Sequence, residues 1–307
     1  MLISMVRLDY DTQTRQLIIR MATTLHERFI DLVDKDISVQ LAAIGNGSGR
    51  TAEFARSVKA LRSSRFFYGP TGSLPSLRSK HCPDASFRHK DAEYPGVVVE
   101  VSYSQKRRAL RRLAYDYLIE SDGSAQVVVG LDIGYSGSRK ASLSVWRHTY
   151  VTEGDLAVLT MLQDKNEEVC ISTLGPLRAP AADLKQPFRN EDGTFCEGEG
   201  LLLRLTDFAN EEIAEDIRDV TCIPEITIPS RRLFRYLLDA EQCEQGPPAT
   251  RRSKHTLRPG AIKRPRSETP PSNNESGDTD TDGRKGKRHA AESEYEPSSN
   301  EGSFTSS

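Results

Sequence analysis

Cysteine is scarce and unpatterned in this chain. Its five cysteines (Cys82, Cys170, Cys196, Cys222 and Cys243) are odd in number and far apart. They form no CxxC pair and no Cys/His cluster at zinc spacing, so neither a disulfide framework nor a structural zinc is expected. Reduced thiols in an intracellular protein fit this usage. Long apolar runs are missing as well. No stretch approaches the roughly eighteen residues of a membrane-spanning helix and no signal peptide opens the chain, so a soluble, non-secreted protein without a membrane partner is expected. An excess of one charge is also absent, since 42 basic residues against 44 acidic ones leave a net charge of −2. Global charge therefore neither requires nor excludes nucleic acid. The glycine run Gly45-Asn46-Gly47-Ser48-Gly49 is no P-loop, because it follows a helical pattern and lacks the lysine and its spacing.

Large apolar side chains nearly disappear from about Gly246 onward, where Leu257, Ile262, Tyr295 and Phe304 are almost the only ones. Such a segment cannot bury enough surface to offset the entropy of ordering it, so residues 246–307 read as a disordered tail.

What is present before the tail alternates between two periods. "VRLDY" and "RQLIIRM" around Asp11-Thr12 predict a hairpin over residues 5–20. Leu25, Phe29, Ile30, Val33, Ile37, Leu41 and Ile44 recur at helical spacing, with Thr24 and Glu27 reading as a capping box. A short helix over 51–61, a strand near 65–68, a Gly/Pro/Ser-rich loop over 69–80 and a strand over 84–88 follow. The most apolar strand is Val97 to Tyr103. Leu110, Leu113, Ala114, Tyr117 and Leu118 then mark an amphipathic helix over 105–120, followed by strands over 126–133 and 140–147. This order predicts an α/β fold with a mixed central sheet flanked by helices, and a parallel crossover through the helix at 105–120. Residues 151–245 read as an α+β C-terminal elaboration packed on the core at 5–150, with strands near 169–174, 200–205 and 225–228 and helices over 210–219 and 230–243.

Strand parity singles out two acids. Glu100 shares a face with Val98 and Ser102, while Asp84 follows Pro83 at the start of the neighbouring strand. Paired with their polar faces together, the strands would bring Asp84 and Glu100 into one site, with Asp132 as a third carboxylate. Convergent carboxylates are the usual oxygen ligands of Mg²⁺, which can polarise a phosphodiester and generate hydroxide. The competing reading has Asp84 capping a turn and Glu100 paired with an arginine.

The order helix, strand, strand, strand, helix, strand, together with Pro83-Asp84 and Glu100-Val101-Ser102, resembles the PD-(D/E)XK restriction-endonuclease-like superfamily. More narrowly, "RMATTLHERF", "CPDASFRHK" and "PGVVVEVSYSQKRRALRRLAYDYL" resemble uncharacterised fungal proteins with this core. The resemblance implies Mg²⁺-dependent phosphodiester hydrolysis, with Glu27, Asp84 and Glu100 as metal ligands. It departs at Ser102, which stands where the family's lysine belongs, and Lys106 is the nearest displaced substitute. Losing one preorganised charge of this kind costs about 3 kcal/mol of transition-state stabilisation. A second reading is therefore a catalytically inactive nuclease-fold module that binds nucleic acid or protein in the nucleus. Lys106, Arg107, Arg108, Arg111 and Arg112 form a basic stripe that phosphates would meet. His26 reads as a helix-surface residue. In the tail, Arg251-Arg252 and, ten residues on, Lys263-Arg264-Pro265-Arg266 have the spacing of a bipartite nuclear localisation signal. They make a nuclear import receptor an expected partner.

Overall fold

The computed structural model describes residues 6–12, 15–68, 78–103, 107–134, 137–154, 156–163 and 185–245, all within one compact unit spanning Met1–Arg252. Two polar-apolar alternating stretches open it as a hairpin, β1 (Val6–Asp11) and β2 (Gln16–Met21). The apolar stripe from Leu25 to Leu41 then forms α1 (Thr24–Gly45), whose N-cap is Thr23, its side chain accepting from the His26 N–H at 3.2 Å. The cap falls one residue before the position the sequence suggested. Helix α2 (Arg50–Ser57) is shorter than the expected 51–61, because Val58–Ala60 leave the helix and pair as strand β3. β4 (Phe66–Tyr68) and β5 (Ser79–His81) follow, then β6 (Ala85–His89), β7 (Val97–Tyr103), α3 (Arg107–Ile119) and β8 (Val127–Ile133).

The chain continues through β9 (Ala141–Glu153), β10 (Leu156–Gln163), β11 (Gln186–Arg189) and β12 (Leu201–Arg204). A 3-10 turn (Leu205–Phe208), α4 (Glu211–Arg218), β13 (Glu225–Ile228) and α5 (Ser230–Gln245) complete it. β5, β10 and β11 were not foreseen, and the expected strand at 169–174 lies outside the described residues.

The central sheet has the order β10-β9-β8-β7-β6-β3, with β11 pairing the other end of β9. β7 and β8 are parallel and joined through α3, while their flanking neighbours β6 and β9 run antiparallel to them, so the sheet is mixed as expected. Because side chains alternate, the two faces of β7 serve two cores. Val97, Val99 and Val101 pack with Phe29, Val33 and Ile37 of α1 and Leu233 and Leu237 of α5. Val98 packs instead with Val128, Trp146 and the α3 residues Leu110, Ala114 and Tyr117. A β-carbon at position 130 would run into the Trp146 ring, so Gly130 is what lets that indole lie flat on β8. Leu203, Phe208 and Ile226 from beyond residue 150 belong to the same core as Phe29. Arg147 on β9 holds Asp207 of the 3-10 turn by two bonds of 2.7 and 3.0 Å.

A second sheet, β2-β1-β5-β4, lies on the α3 side, where Tyr68 of β4 and His81 of β5 pack against Tyr117. It carries the hairpin to the edge of the acids.

Candidate functional site

Pro83-Asp84 leads into β6, and the β6–β7 register sets Ala85 opposite Val99. Asp84 therefore falls beside the Glu100–Val101 peptide, and the Val101 N–H donates to its Oδ2 at 2.6 Å. Glu100 lies on the Val98 face, under the second sheet, where the Tyr117 hydroxyl donates to its Oε1 at 2.7 Å. Both acids are buried, at 4% and 1% exposure. They converge on one group, the guanidinium of Arg20, whose Nη1 is 2.7 Å from Glu100 Oε2 and 3.7 Å from Asp84 Oδ1.

The hairpin supplies the charge that makes this burial tolerable. Arg7 and Arg20 sit directly opposite each other in the β1–β2 register, two like charges whose apposition would be unfavourable alone. Acids separate them. Arg7 Nη1 lies 2.7 Å from Asp84 Oδ1 and its Nη2 2.8 Å from Glu27 Oε1. Arg20 Nε lies 2.7 Å from Asp9 Oδ2, and Arg20 also donates to the Cys82 carbonyl. Asp9 Oδ1 in turn accepts the Cys82 N–H at 2.8 Å, tying the hairpin to the turn before Asp84. His26 Nε2 completes the cluster, 3.0 Å from Asp84 Oδ2.

The titration of these groups follows from that arrangement. Burial acts against a charged His26, but the Asp84 carboxylate outweighs it and raises the imidazole to about 9. Burial also acts to raise Asp84, yet His26, then Arg20 and Arg7, hold it well below the usual carboxylate range. Glu100 goes the other way. Burial, with Asp84 and Asp9 nearby, outweighs Arg20 and the Tyr117 bond and raises it to about 8. At neutral pH His26 is then held cationic and Asp84 anionic, and Glu100 is the acid of the cluster whose affinity for a proton is raised.

Sequence reasoning brought Asp84 and Glu100 to one place but left out Arg20, which touches both, and Arg7 and Asp9 beside it. Arg7, Asp9 and Arg20 were visible only as the polar positions of the hairpin alternation. Two expectations are corrected. His26 is buried against Asp84, not on the helix surface, because it stands three and four residues before the buried Phe29 and Ile30 and shares their face of the helix. Glu27 reaches Arg7 and does not close a capping box with Thr24. The open alternative that Glu100 pairs with an arginine is met, though Glu100 is buried and not half-exposed. Asp132 stands beside Ser102 in the β7–β8 register and is held by Lys185 Nζ at 3.1 Å, a lysine the sequence gave no reason to select.

The donor set does not suit a divalent cation. Two guanidinium groups stand between or against Asp84 and Glu100, and the described residues contain no group of three or more His, Cys, Asp or Glu that could hold a metal. Lys106 lies outside the described residues, as do the side chains of Arg107 and Arg108 at the start of α3 and the tail residues Arg251, Arg252, Lys263, Arg264 and Arg266. Of the basic stripe, Arg111 is exposed, and Arg112 is paired with Asp11 at 2.5 Å.

The polar inner face of the hairpin leaves its other face apolar. Leu8 stands opposite Ile19 and Tyr10 opposite Leu17, all turned outward, and Leu17, Ile19 and Met21 are 61%, 62% and 78% exposed. β2 is an edge strand of its sheet. Searches of protein-family models, of characterised proteins and of solved structures return no match to this chain.

Proposed function

We propose that this chain is a catalytically inactive module with a restriction-endonuclease-like core that binds a partner protein. In this reading the acid pair has become the anchor of an interaction hairpin. The carrying observation is the inverted hairpin, which buries Arg7 and Asp9, sets the half-buried Arg20 on the acids and turns Leu17, Ile19 and Met21 to solvent. A contiguous apolar patch of that kind marks an interaction surface more often than a free one. The partner we assign to it is an extended protein segment added to the free edge of β2. Such pairing uses unpaired main-chain groups for affinity and side chains at i, i+2 and i+4 for selectivity, which is the spacing of Leu17, Ile19 and Met21. Nucleic acid asks instead for a run of exposed cations.

The restriction-endonuclease-like core is supported by the order α1, β3, β6, β7, α3, β8 along the central sheet, which is helix, strand, strand, strand, helix, strand once the inserted α2 and the second-sheet strands β4 and β5 are set aside. Mg²⁺-dependent phosphodiester hydrolysis is the second reading, favoured by the convergence of Asp84 and Glu100 on one small group. It requires the hairpin to withdraw Arg7 and Arg20 first. A cleavage assay on single- and double-stranded DNA and RNA with Mg²⁺ or Mn²⁺ separates the two. No cleavage is expected, and activity that disappears in both Asp84→Ala and Glu100→Ala would overturn the inactive reading. The binding half is tested with a fluorescent peptide of the sequence Gln16–Met21 as probe. A saturable rise in anisotropy that Ile19→Asp removes is expected, and no binding would overturn it. Import into the nucleus through Arg251, Arg252, Lys263, Arg264 and Arg266 is tested by replacing all five with alanine in a fluorescent fusion. Unchanged nuclear signal would remove that assignment.

A further inference from the structure

The parallel strands β7 and β8 end side by side at Tyr103 and Ile133, which are partners in register. Both residues pack with the Phe29 core, on the face of the sheet away from Glu100. They line a cavity of about 380 Å³ together with Ser138, Arg139, Arg189 and Glu241. The space outside the carboxyl ends of parallel strands is a recurrent place for ligands in open α/β sheets.

A break in β11 delivers a charge to this space. The β9–β11 register shifts between Pro187 and Arg189, so Phe188 and Arg189 are buried in succession. Regular alternation would have turned one of them outward, and a bulge of this kind re-aims a side chain. Phe188 stacks on Phe29, while Arg189 reaches the cavity wall with its side chain 2% exposed. A guanidinium has five N–H bonds to place, and natural interiors satisfy nearly all such donors. Only Nη1 of Arg189 has a hydrogen-bond partner among the described residues, Oε1 of Glu241 on α5 at 2.5 Å. Nε is sealed without a partner, whereas Nη2 has none and keeps accessible surface. The rim carries a second guanidinium. Arg139 is 60% exposed, its backbone N–H donates to the Glu191 carbonyl at 3.2 Å, and its Nη2 lies 3.8 Å from Glu241 Oε2. Two arginines against one glutamate leave the lining with one positive charge unanswered.

We infer that this cavity binds the carboxylate of a small organic acid, with Arg189 Nη2 and Arg139 donating to its oxygens and Tyr103 and Ile133 against its apolar body. A paired guanidinium fork suits that planar anion. A phosphate dianion is a poorer occupant, because it would set two negative charges beside the Glu241 carboxylate. A cation would meet the two arginines first. The shared chemistry is that of a free carboxylic acid and of the C-terminal carboxylate of a peptide.

Isothermal titration calorimetry on the full chain separates these sources. Benzoate and hexanoate serve as free acids, and N-acetyl-Gly-Gly-Phe serves as a chain terminus. Benzamide, the peptide amide and inorganic phosphate are the controls. At least one carboxylate is expected to bind saturably with a Kd at or below about 1 mM, and its amide is not. Binding by a free acid alone assigns a small molecule, and binding by the peptide alone assigns a chain terminus. Arg189→Met would strand Glu241 and could unfold the chain, so the variants are chosen at the rim. Arg139→Ala is expected to weaken binding about fivefold, since it removes one charged donor. Glu241→Gln keeps an acceptor for Arg189 but removes the competing charge, and is expected to tighten binding about fivefold. A merely structural ion pair predicts no such gain. No saturable binding by any carboxylate, equal affinity for its amide, or tighter binding of phosphate would each overturn the inference. So would unchanged affinity in Arg139→Ala, or equal or weaker affinity in Glu241→Gln.

Discussion

The β1–β2 hairpin and the β7–β8 pair are both two-stranded units of six or seven residues a strand, yet they bury opposite chemistries. Every residue of β8 is buried, and β7 is buried from Val97 to Val101, with valines filling both faces and Glu100 and Asp132 the two charged intrusions. The hairpin turns Arg7, Asp9 and Arg20 toward the acids and Leu8, Leu17, Ile19 and Met21 outward. Hydrophobic burial is non-directional, so β7 and β8 would tolerate many apolar sequences of similar volume. The hairpin is docked by directional contacts that work only as a set. An ion network of this kind is a poor source of net stability but a strong determinant of register, because each unpaired member is penalised. In this molecule, then, the strand pair that sets the fold is generic, and the pair that covers the acids is specific.

The largest expected effect comes from taking one member out of that set. Arg20→Met leaves Asp9, Asp84 and Glu100 facing one another without their shared cation, and it should cost about 3–5 kcal/mol in urea unfolding at neutral pH. Adding Glu100→Leu to it removes one of the stranded acids and should recover part of the loss. In the apolar pair, Leu131→Ala should cost about 2–5 kcal/mol as a plain cavity, with no such recovery by a second change. A loss under about 1 kcal/mol for Arg20→Met would put it in the range of an exposed ion pair and dissolve the contrast.

The next effect is on pH dependence, which the β7–β8 valines cannot have. Glu100 is raised in the folded state to about 8 and His26 to about 9. The folded protein therefore holds both protons more tightly than the unfolded chain. Their contribution is complete below the unfolded values and is lost as pH rises through about 8 and about 9. Asp84 is held low, so its contribution is present above its unfolded value and fails as pH falls toward its folded one. Stability should accordingly peak on the mildly acidic side and decline from there to pH 9, by about 5 °C or more in melting temperature. Glu100→Gln should flatten the part of that decline that lies below about pH 8. A profile level across the whole span would mean that the cluster does not hold these protons.

How much of this was legible beforehand divides along the same line. Val97–Tyr103 and Val127–Ile133 announce themselves by composition, and α1 by its spacing, because those elements depend on local pattern and on burial of no particular neighbour. Parity alone also put Asp84 and Glu100 in one place. The partners of those acids were not legible, since Arg7, Asp9 and Arg20 lie far from them along the chain and alternate with apolar residues as any amphipathic strand does. Nothing in that alternation says which face points inward. The ordinary assumption, apolar in and polar out, would have been wrong for this hairpin. β5, with one residue paired to β1 and three to β4, is too short to show a period at all. His26 was misplaced for a related reason, because it shares the face of Phe29 and Ile30 while nothing in the spacing says that Asp84 waits there.

The smallest expected effect on stability tests the outward face. Ile19 is 62% exposed on the edge strand, so Ile19→Ser removes little buried surface and should change the free energy of unfolding by no more than about 0.5 kcal/mol. The same change at Val99, which is fully buried in β7, would open a cavity and bury a hydroxyl, and should cost several times as much, about 2 kcal/mol or more. Equilibrium urea unfolding of both variants gives the ratio directly. A destabilisation by Ile19→Ser comparable with that of Val99→Ser would mean that the outer face of the hairpin is already covered within the chain, leaving no apolar edge to offer a partner. A near-neutral result, combined with loss of peptide binding in Ile19→Asp, would place the hairpin's apolar residues outside the folding of this chain and within its contact with another.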